Sequence, residues 1–329
     1  MIFDTSILSP VYLGLGLGMF VVTYALLHAV VTKKPISWRV RATGKPLYWA
    51  GWMLAFLISI SVATLLHDKY LVVGLLGATL IAILIGRLDE ERPLSAGRQL
   101  FWQLLIAGWA VYMGWTIPYI TNPFGDGVIM LFGWGSLGAF LWIILCMNAM
   151  NFLDGTDGLA TLTGLIAAIT LAAISLLPAT QDTRTLTISL IAAGGLAAFF
   201  LWNAPPARIY LGTSGSWFVG LIIALISTIG GGKIETAFVV LAIPILDALF
   251  VLIHRALSGK LPWKGDRVRH IHHRLQDAGV SPWGILMIGG VVTVILGYVG
   301  VIAPTHIKLL VLVVGMLVFF SVRFKTMKV

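Results

Sequence analysis

Long apolar runs dominate this chain and limit the folds open to it. They recur along almost the whole sequence at about 20 residues each, without the ten-residue alternation of a membrane-spanning strand. Only 11% of the residues are charged and 59% are hydrophobic, whereas a soluble domain carries about 25% charged residues. Because only helices and closed barrels satisfy backbone polar groups in lipid, we predict an all-α, polytopic integral membrane protein.

Eleven apolar segments are predicted to cross the membrane as helices. They lie near residues 11–32, 47–66, 70–86, 99–118, 128–147, 158–178, 185–202, 209–230, 236–254, 283–303 and 306–322. An odd count places the termini on opposite sides. With the N-terminus outside, 18 of the 22 Lys and Arg residues fall on the inner side, in agreement with the positive-inside rule.

These observations predict one transmembrane domain over residues 1–329, with a cytoplasmic C-terminus and a cytoplasmic loop at about 255–282. The first ten residues lack a basic region and predict no cleavable signal peptide. The net charge of +9 is interpreted as topology and contact with anionic lipid, as attraction of a polyanionic substrate, or as both. No basic helix or soluble module is evident, so nucleic acid is excluded as a partner.

The segment NAMNFLDGTDGLA, Asn148–Ala160, carries the strongest functional signal. It places two amides, Asn148 and Asn151, and two carboxylates, Asp154 and Asp157, at steps of three residues directly after an apolar run. Such steps keep side chains on one helix face, and the glycines allow a close backbone approach or a sharp turn. Four polar groups beside a bilayer are costly, which favours a functional site over a polar helix cap.

Other acidic residues collect on the same predicted membrane face. Asp89, Glu90 and Glu91 follow the third apolar segment, and Asp247 lies inside the ninth. A basic face that concentrates carboxylates at helix ends is typical of a divalent cation bound together with phosphates. The alternatives are a solvated charge run for the first group and a buried ion pair for Asp247.

The long inner loop ends in DRVRHIHHR, residues 266–274. Its histidines could ligate a metal, but the spacing is not that of a zinc site and there is no cysteine partner, since the single Cys146 lies in an apolar run. The interleaved arginines favour phosphate binding, because a guanidinium binds phosphate bidentately, and a plain basic surface is the alternative.

Four segments together resemble the polyprenyl-phosphate N-acetylhexosamine-1-phosphate transferase family, glycosyltransferase family 4, in that family's order. They are GRLDEERPLSAGRQLFWQLL (86–105), NAMNFLDGTDGLA (148–160), WNAPPARIYLGTSGS (202–216) and IPILDALFVLIHRALSGKLPWKGDRVRHIHHRL (243–275). The His-Ile-His-His form is nearer the bacterial undecaprenyl-phosphate GlcNAc-1-phosphate transferase branch than the phospho-MurNAc-pentapeptide translocase branch.

The resemblance implies transfer of a sugar-1-phosphate from a UDP-N-acetylhexosamine, most often UDP-GlcNAc, to undecaprenyl phosphate. UMP is released at the cytoplasmic face of the cell inner membrane, and a lipid-linked cell-envelope glycan is started. The implied cofactor is Mg²⁺ or Mn²⁺, which with arginines screens the repulsion between two phosphates. The oligomeric state is not readable from the sequence, and a homodimer is kept as one alternative.

The resemblance also assigns roles to residues. It implies catalytic acids at Asp89, Glu90, Asp154 and Asp157, and metal ligands at Asp89, Asp154, Asp157 and, where the family has aspartate, Thr213. Substrate-binding roles fall on Asn148, Asn151, Asn203, Asp247, His270, His272, His273 and Arg274.

Three departures from the family pattern bear on activity. Glu90 replaces the second aspartate of the pair, Thr213 replaces a metal-binding aspartate, and the loop from Asp266 to His270 is one residue longer, with Gln99 standing where a basic residue is usual. Thr213 offers a neutral hydroxyl, a poor Mg²⁺ ligand. Two alternatives to an active transferase follow: a pseudoenzyme of the same fold with a binding role, and a transporter that uses its intramembrane acids.

Overall fold

The apolar segments form a helical membrane protein in the computed structural model, which describes residues 9–33, 49–229, 233–257 and 270–325. In chain order the helices are α1 Pro10–Lys33, α2 Trp49–Ala63, α3 Lys69–Glu91, α4 Ala96–Tyr112, α5 Trp134–Leu153, α6 Leu159–Ile174, α7 Thr183–Asn203, α8 Gly212–Thr228, α9 Ile234–Val240, α10 Ala242–Leu257, α11 Ile271–Asp277, α12 Pro282–Ile302 and α13 Thr305–Lys325. A short 3₁₀ turn, Pro178–Thr180, precedes α7.

Each of the eleven predicted segments coincides with a helix, but one of them is broken. The segment near 236–254 divides into α9 and α10, which meet at an angle of 74°. Six helices within the described ranges are individually long and apolar enough to cross a bilayer, and seven if this bent pair is one span. The protein is therefore a multi-pass membrane protein, whereas the count of eleven spans and the orientation of the termini stay predictions.

One small sheet departs from the all-α prediction. Strands β1, Tyr119–Thr121, and β2, Val128–Met130, pair antiparallel around a turn closed at Gly127, whose φ of +87° suits glycine. The predicted segment 128–147 consequently begins too early. Its first residues belong to β2, and α5 starts at Trp134 and runs on to Leu153, so Asp154 caps the helix.

Helix α8 forms the centre of the bundle, and almost all of its residues are buried. It packs against α3 and α5, and small residues permit the close approach. A Cβ atom on Gly86 of α3 would collide with Ser214, and one on Gly220 of α8 would lie 2.5 Å from the carbonyl oxygen of Cys146. These contacts bring the end of α3, the beginning of α8 and the end of α5 together.

Several of the basic residues on which the predicted orientation rests lie outside the described residues. They comprise the basic residues between α1 and α2, most of the inner loop before His270, and the last four residues of the chain.

Candidate active site

Asp89 and Thr213 are joined directly where α3 meets α8. The Thr213 hydroxyl donates to Asp89 Oδ2 at 2.6 Å, while Asp89 Oδ1 accepts from the backbone N–H of Leu94 at 2.7 Å and from Gln99 Nε2 at 3.0 Å. The Asp89 side chain is buried, and both of its oxygens are engaged. Thr213 therefore occupies the position where the family resemblance implies a metal ligand, but it serves as a hydrogen-bond donor to the neighbouring carboxylate.

Glu90 fastens the same junction from the other side. Its Oε1 accepts the backbone N–H of Ser214 and its Oε2 accepts the indole N–H of Trp52, each at 3.1 Å. Ser214 lies in the first turn of α8, where backbone donors have no partner within the helix. The longer glutamate side chain thus ties α2, α3 and α8 together.

Asp154 and Asp157 lie in the turn between α5 and α6. Burial raises the pKa of Asp154 well above its ordinary value. A hydrogen bond from the backbone N–H of Gly212 lowers this pKa, whereas the negative charges of Glu90 and Asp157 raise it further. Asp157 Oδ2 accepts the backbone N–H of Ala207 at 2.9 Å. Asp154 is therefore a buried carboxyl group close to two other acids, and a bound cation would favour its charged form.

The three predicted amides have different surroundings. Asn148 donates to Gln103 Oε1 at 2.6 Å, and Asn151 accepts the hydroxyl of Ser216 at 3.0 Å. Asn203 is buried, accepts from Thr161 at 2.7 Å and donates to the Ile209 carbonyl at 2.9 Å. Asn203 thereby holds the loop that leads into α8, and its predicted contact with substrate stays a prediction.

The histidine motif packs against the Asn148–Ala160 segment. The ring of His270 stacks on Phe152 with 4.5 Å between centroids, and a Cβ atom on Gly155 would lie 2.6 Å from His272 Nε2. Further along the motif, Gln276 donates to Thr156 at 3.3 Å and lies 3.3 Å from His273 Nδ1. The two motifs that the sequence separates by more than a hundred residues thus form one surface.

Two of the histidines have distinct electrostatic settings. His270 Nδ1 lies 2.6 Å from Asp247 Oδ2, a pairing that fixes the orientation of the ring. His272 is 4% exposed; burial, followed by the charges of His273 and His270, lowers its pKa from 6.5 to about 4. Its Nε2 has no hydrogen-bond partner within the described part of the chain. Neutral His272 therefore presents an unused ring nitrogen beside Gly155.

An apolar cavity of about 220 Å³ is lined in part by His272 of this cluster. It lies between α5, α6, α10, α11 and α12, and hydrophobic side chains such as Leu159, Ile243 and Ile285 form most of its wall. Asp247 and His272 are the ionisable residues that line it. An apolar space that leads to polar groups suits an amphiphilic ligand with a charged head and a hydrocarbon tail.

The described residues contain no group of three or more His, Cys, Asp or Glu side chains that could hold a metal ion. Asp89 already accepts three hydrogen bonds, whereas Asp154 and Asp157 interact through their charges. Mg²⁺ needs only one or two protein carboxylates when substrate phosphates supply further oxygens. The residues present therefore fit such an ion at Asp154 and Asp157 better than at Asp89 and Thr213.

Sequence reasoning overlooked several residues of this site. Trp52 and Ser214 gave no signal, because neither belongs to a charged or repeated pattern. Arg323 entered only as a basic residue near the C-terminus, although its guanidinium lies 3.4 Å from Asp247 Oδ1 and its side chain is only 5% exposed. An arginine at the end of an apolar helix was the available clue.

The fold and the candidate site together define a multi-pass membrane protein with carboxylates, histidines and an apolar cavity at one junction of helices. The family model for glycosyl transferase family 4 matches residues 72–231, which include Asp89, Asp154, Asp157 and Thr213. Over these residues, just under half of its length, the chain is similar to this family. Asp247 and the histidine motif lie beyond the matched residues.

Curated relatives bear names that agree with this family. The chain is 34% identical over 208 residues to a probable undecaprenyl-phosphate N-acetylglucosaminyl 1-phosphate transferase of Bacillus subtilis (61% of this chain, 57% of the relative). It is 32% identical over 230 residues to decaprenyl-phosphate N-acetylglucosaminephosphotransferase of Mycobacterium tuberculosis (62% and 56%). A phospho-N-acetylmuramoyl-pentapeptide-transferase of Helicobacter hepaticus is 27% identical over 311 residues (82% and 85%). The chain thus spans little more than half the length of the first two relatives.

Proposed function

We propose that this protein transfers a sugar-1-phosphate from a UDP-N-acetylhexosamine, UDP-GlcNAc in the first instance, to undecaprenyl phosphate. An oxygen of the lipid phosphate attacks the sugar-linked phosphorus of the donor. The bond from this phosphorus to the oxygen that bridges the diphosphate breaks, and UMP leaves with that oxygen. The reaction takes place at the cytoplasmic face of the inner membrane and starts a cell-envelope glycan.

One observation supports this proposal: Asp247 and His272 line the apolar cavity, and His272 in turn contacts the Asn148–Ala160 segment at Gly155. A lipid phosphate has the matching division into hydrocarbon and charge. A soluble anionic donor would meet the same junction from the polar side, where His273 and Arg274 lie at half-buried positions. The names of the curated relatives support the same acceptor and donor classes.

Asp154 and Asp157 are the residues that would hold Mg²⁺ or Mn²⁺. When bound, the ion would supply positive charge that screens the repulsion between the two substrate phosphates and the developing charge on UMP. The chain's own contribution is positioning. Asp89 orients the lipid phosphate and is itself fixed by Thr213, Leu94 and Gln99. The diphosphate or the sugar is bound by His270, His272, His273 and Arg274. The donor also accepts or donates hydrogen bonds at Asn148 and Asn151.

The test is an assay of membranes that contain the overexpressed protein. Undecaprenyl phosphate, Mg²⁺ and a panel of UDP-N-acetylhexosamines are added, and UMP and the lipid-linked product are measured by chromatography. We expect release of UMP that requires both the lipid and the ion and is lost in the double variant Asp154→Asn/Asp157→Asn. Asp126→Asn, in the exposed turn of the hairpin, is the matched control. Folded protein without turnover on any donor would overturn the proposal.

A further inference from the structure

Helix α13 faces outward along nearly its whole length but carries two buried cations. Only 6% of its most apolar 18-residue window is buried, and Leu317 and Val318 are about 60% exposed. Against this background Lys308 is 5% exposed and Arg323 is 4% exposed. A buried cation on a lipid-facing helix is costly unless it is paired, so each of them needs a specific partner.

Their partners lie on the two halves of the bent span. Lys308 Nζ donates to the hydroxyl of Thr236 on α9 at 2.8 Å, whereas Arg323 reaches Asp247 on α10 at 3.4 Å. The guanidinium of Arg323 also lies over the ring of Phe250, 4.6 Å from its centroid. Helix α13 therefore bridges the 74° bend, and its Arg323 end reaches the site.

Asp247 transmits this contact to the histidine motif. One carboxylate oxygen, Oδ1, faces Arg323, and the other, Oδ2, pairs with His270 Nδ1 at 2.6 Å. The ring of His270 is in turn stacked on Phe152, which lies within the Asn148–Ala160 segment, two residues before Asp154. Arg323, Asp247 and His270 form a continuous chain of contacts that ends on the Asn148–Ala160 segment.

We propose that Arg323 is a positioning residue of the transfer site, which it serves by fixing Asp247 and through it the ring of His270. The proposal rests on the function proposed above. Arg323 itself acts from behind Asp247 and does not contact substrate. Its fixed positive charge suits this task, because the ion pair at Oδ1 and the close contact of Oδ2 with His270 together restrain the rotation of the carboxylate.

The experiment compares Arg323→Met with Lys308→Met, which removes the other buried cation of the same helix. Both variants are purified in detergent, and only monodisperse protein is assayed. For Arg323→Met we expect a loss in kcat of about 100-fold, the effect of a displacement near 1 Å, with KM for the UDP-sugar nearly unchanged. For Lys308→Met we expect kcat near that of the wild type even if the melting temperature falls.

A second measurement does not depend on turnover. Modification of His270 by diethyl pyrocarbonate is followed by mass spectrometry, and the exposed His306 on α13 serves as internal reference. In Arg323→Met the His270 rate should rise several-fold relative to His306, and in Lys308→Met it should not. If Arg323→Met does not yield monodisperse protein, Arg323→Gln replaces it.

The outcomes are distinguishable. The positioning role of Arg323 is overturned if His270 is labelled in Arg323→Met at the same rate as in the wild type. It is also overturned if kcat falls equally in Arg323→Met and Lys308→Met. Inactive wild-type protein on every donor overturns the proposed function, while the labelling comparison still decides whether Arg323 fixes His270.

Discussion

The hydroxyl of Thr213 donates a 2.6 Å hydrogen bond to Asp89 across 124 residues of sequence. This bond joins the first turn of α8 to the last turn of α3. It gives the threonine a role that an aspartate at the same position could not fill, since two carboxylates at hydrogen-bond distance repel one another unless a proton or cation lies between them.

Thr213→Val should lower activity by about 5- to 150-fold, because it removes one of three donors from a buried carboxylate, a change worth about 1–3 kcal/mol. Thr213→Ser retains the hydroxyl and should stay near wild type. Thr213→Asp should also lose activity, since it places a second carboxylate against Asp89. Release of UMP is the measurement. A large gain in activity for Thr213→Asp from an inactive wild type would favour the pseudoenzyme alternative.

Asp154→Asn and Asp157→Asn should each raise the Mg²⁺ concentration for half-maximal activity at least tenfold, because each removes a charged oxygen ligand from the proposed cation site. Titration of the ion at fixed substrate concentrations measures the effect. Asp126→Asn, far along the chain in the hairpin turn, should leave the titration unchanged. Unaltered Mg²⁺ dependence in both site variants would show that the ion binds elsewhere.

Gly155→Ala should reduce kcat by about tenfold or more, because the added methyl group would lie 2.6 Å from His272 Nε2 and push the ring away. Gly14→Ala in α1 is the control, since nothing lies within 4 Å of a Cβ atom built there. Steady-state kinetics on both purified variants provide the test, and equal rates would contradict the close packing of the two motifs.

The low pKa of His272 predicts how stability depends on pH. Its pKa is about 4 in the folded protein and 6.5 ordinarily, so between these values the unfolded chain binds the proton more strongly. The contribution of neutral His272 to the free energy of unfolding is fully present above about pH 6.5 and is lost as the pH falls towards 4. The largest possible loss is about 3 kcal/mol.

Thermal unfolding in detergent between pH 4 and 7 checks this prediction. The wild-type midpoint should fall at the acidic end, and His272→Gln should show a smaller fall because its amide does not titrate in this range. His67→Gln, at an exposed position, is the matched control. Identical pH profiles for wild type and His272→Gln would contradict the assignment.

The helices were predictable from the sequence because each apolar run is long and nearly uninterrupted. The break between α9 and α10 was not predicted, although Pro244 was an available signal, because it has no N–H to donate to the carbonyl of Val240. Likewise the hairpin strand Val128–Met130 has the composition of a membrane helix and was assigned to one.

The candidate site was predictable where its residues form a motif in the sequence. Asp154, Asp157 and the histidines were found by type and spacing, and the structure brings their segments together at Gly155 and His272. The link between Asp89 and Thr213 was hidden, because a long-range hydrogen bond has no local pattern. Arg323 was hidden for the same reason, since its partner Asp247 is reached only through the packing of α13.

The modest size of the apolar cavity has a consequence for acceptor selectivity. Its volume of about 220 Å³ is below the roughly 300–1,000 Å³ of pockets that enclose drug-sized molecules. For the proposed acceptor, only the isoprene units next to the phosphate would fit inside, and the remaining tail would extend among the lipids. Such an enzyme would discriminate the head-proximal units and tolerate polyprenols of different length, so shortened water-soluble analogues should serve as substrates.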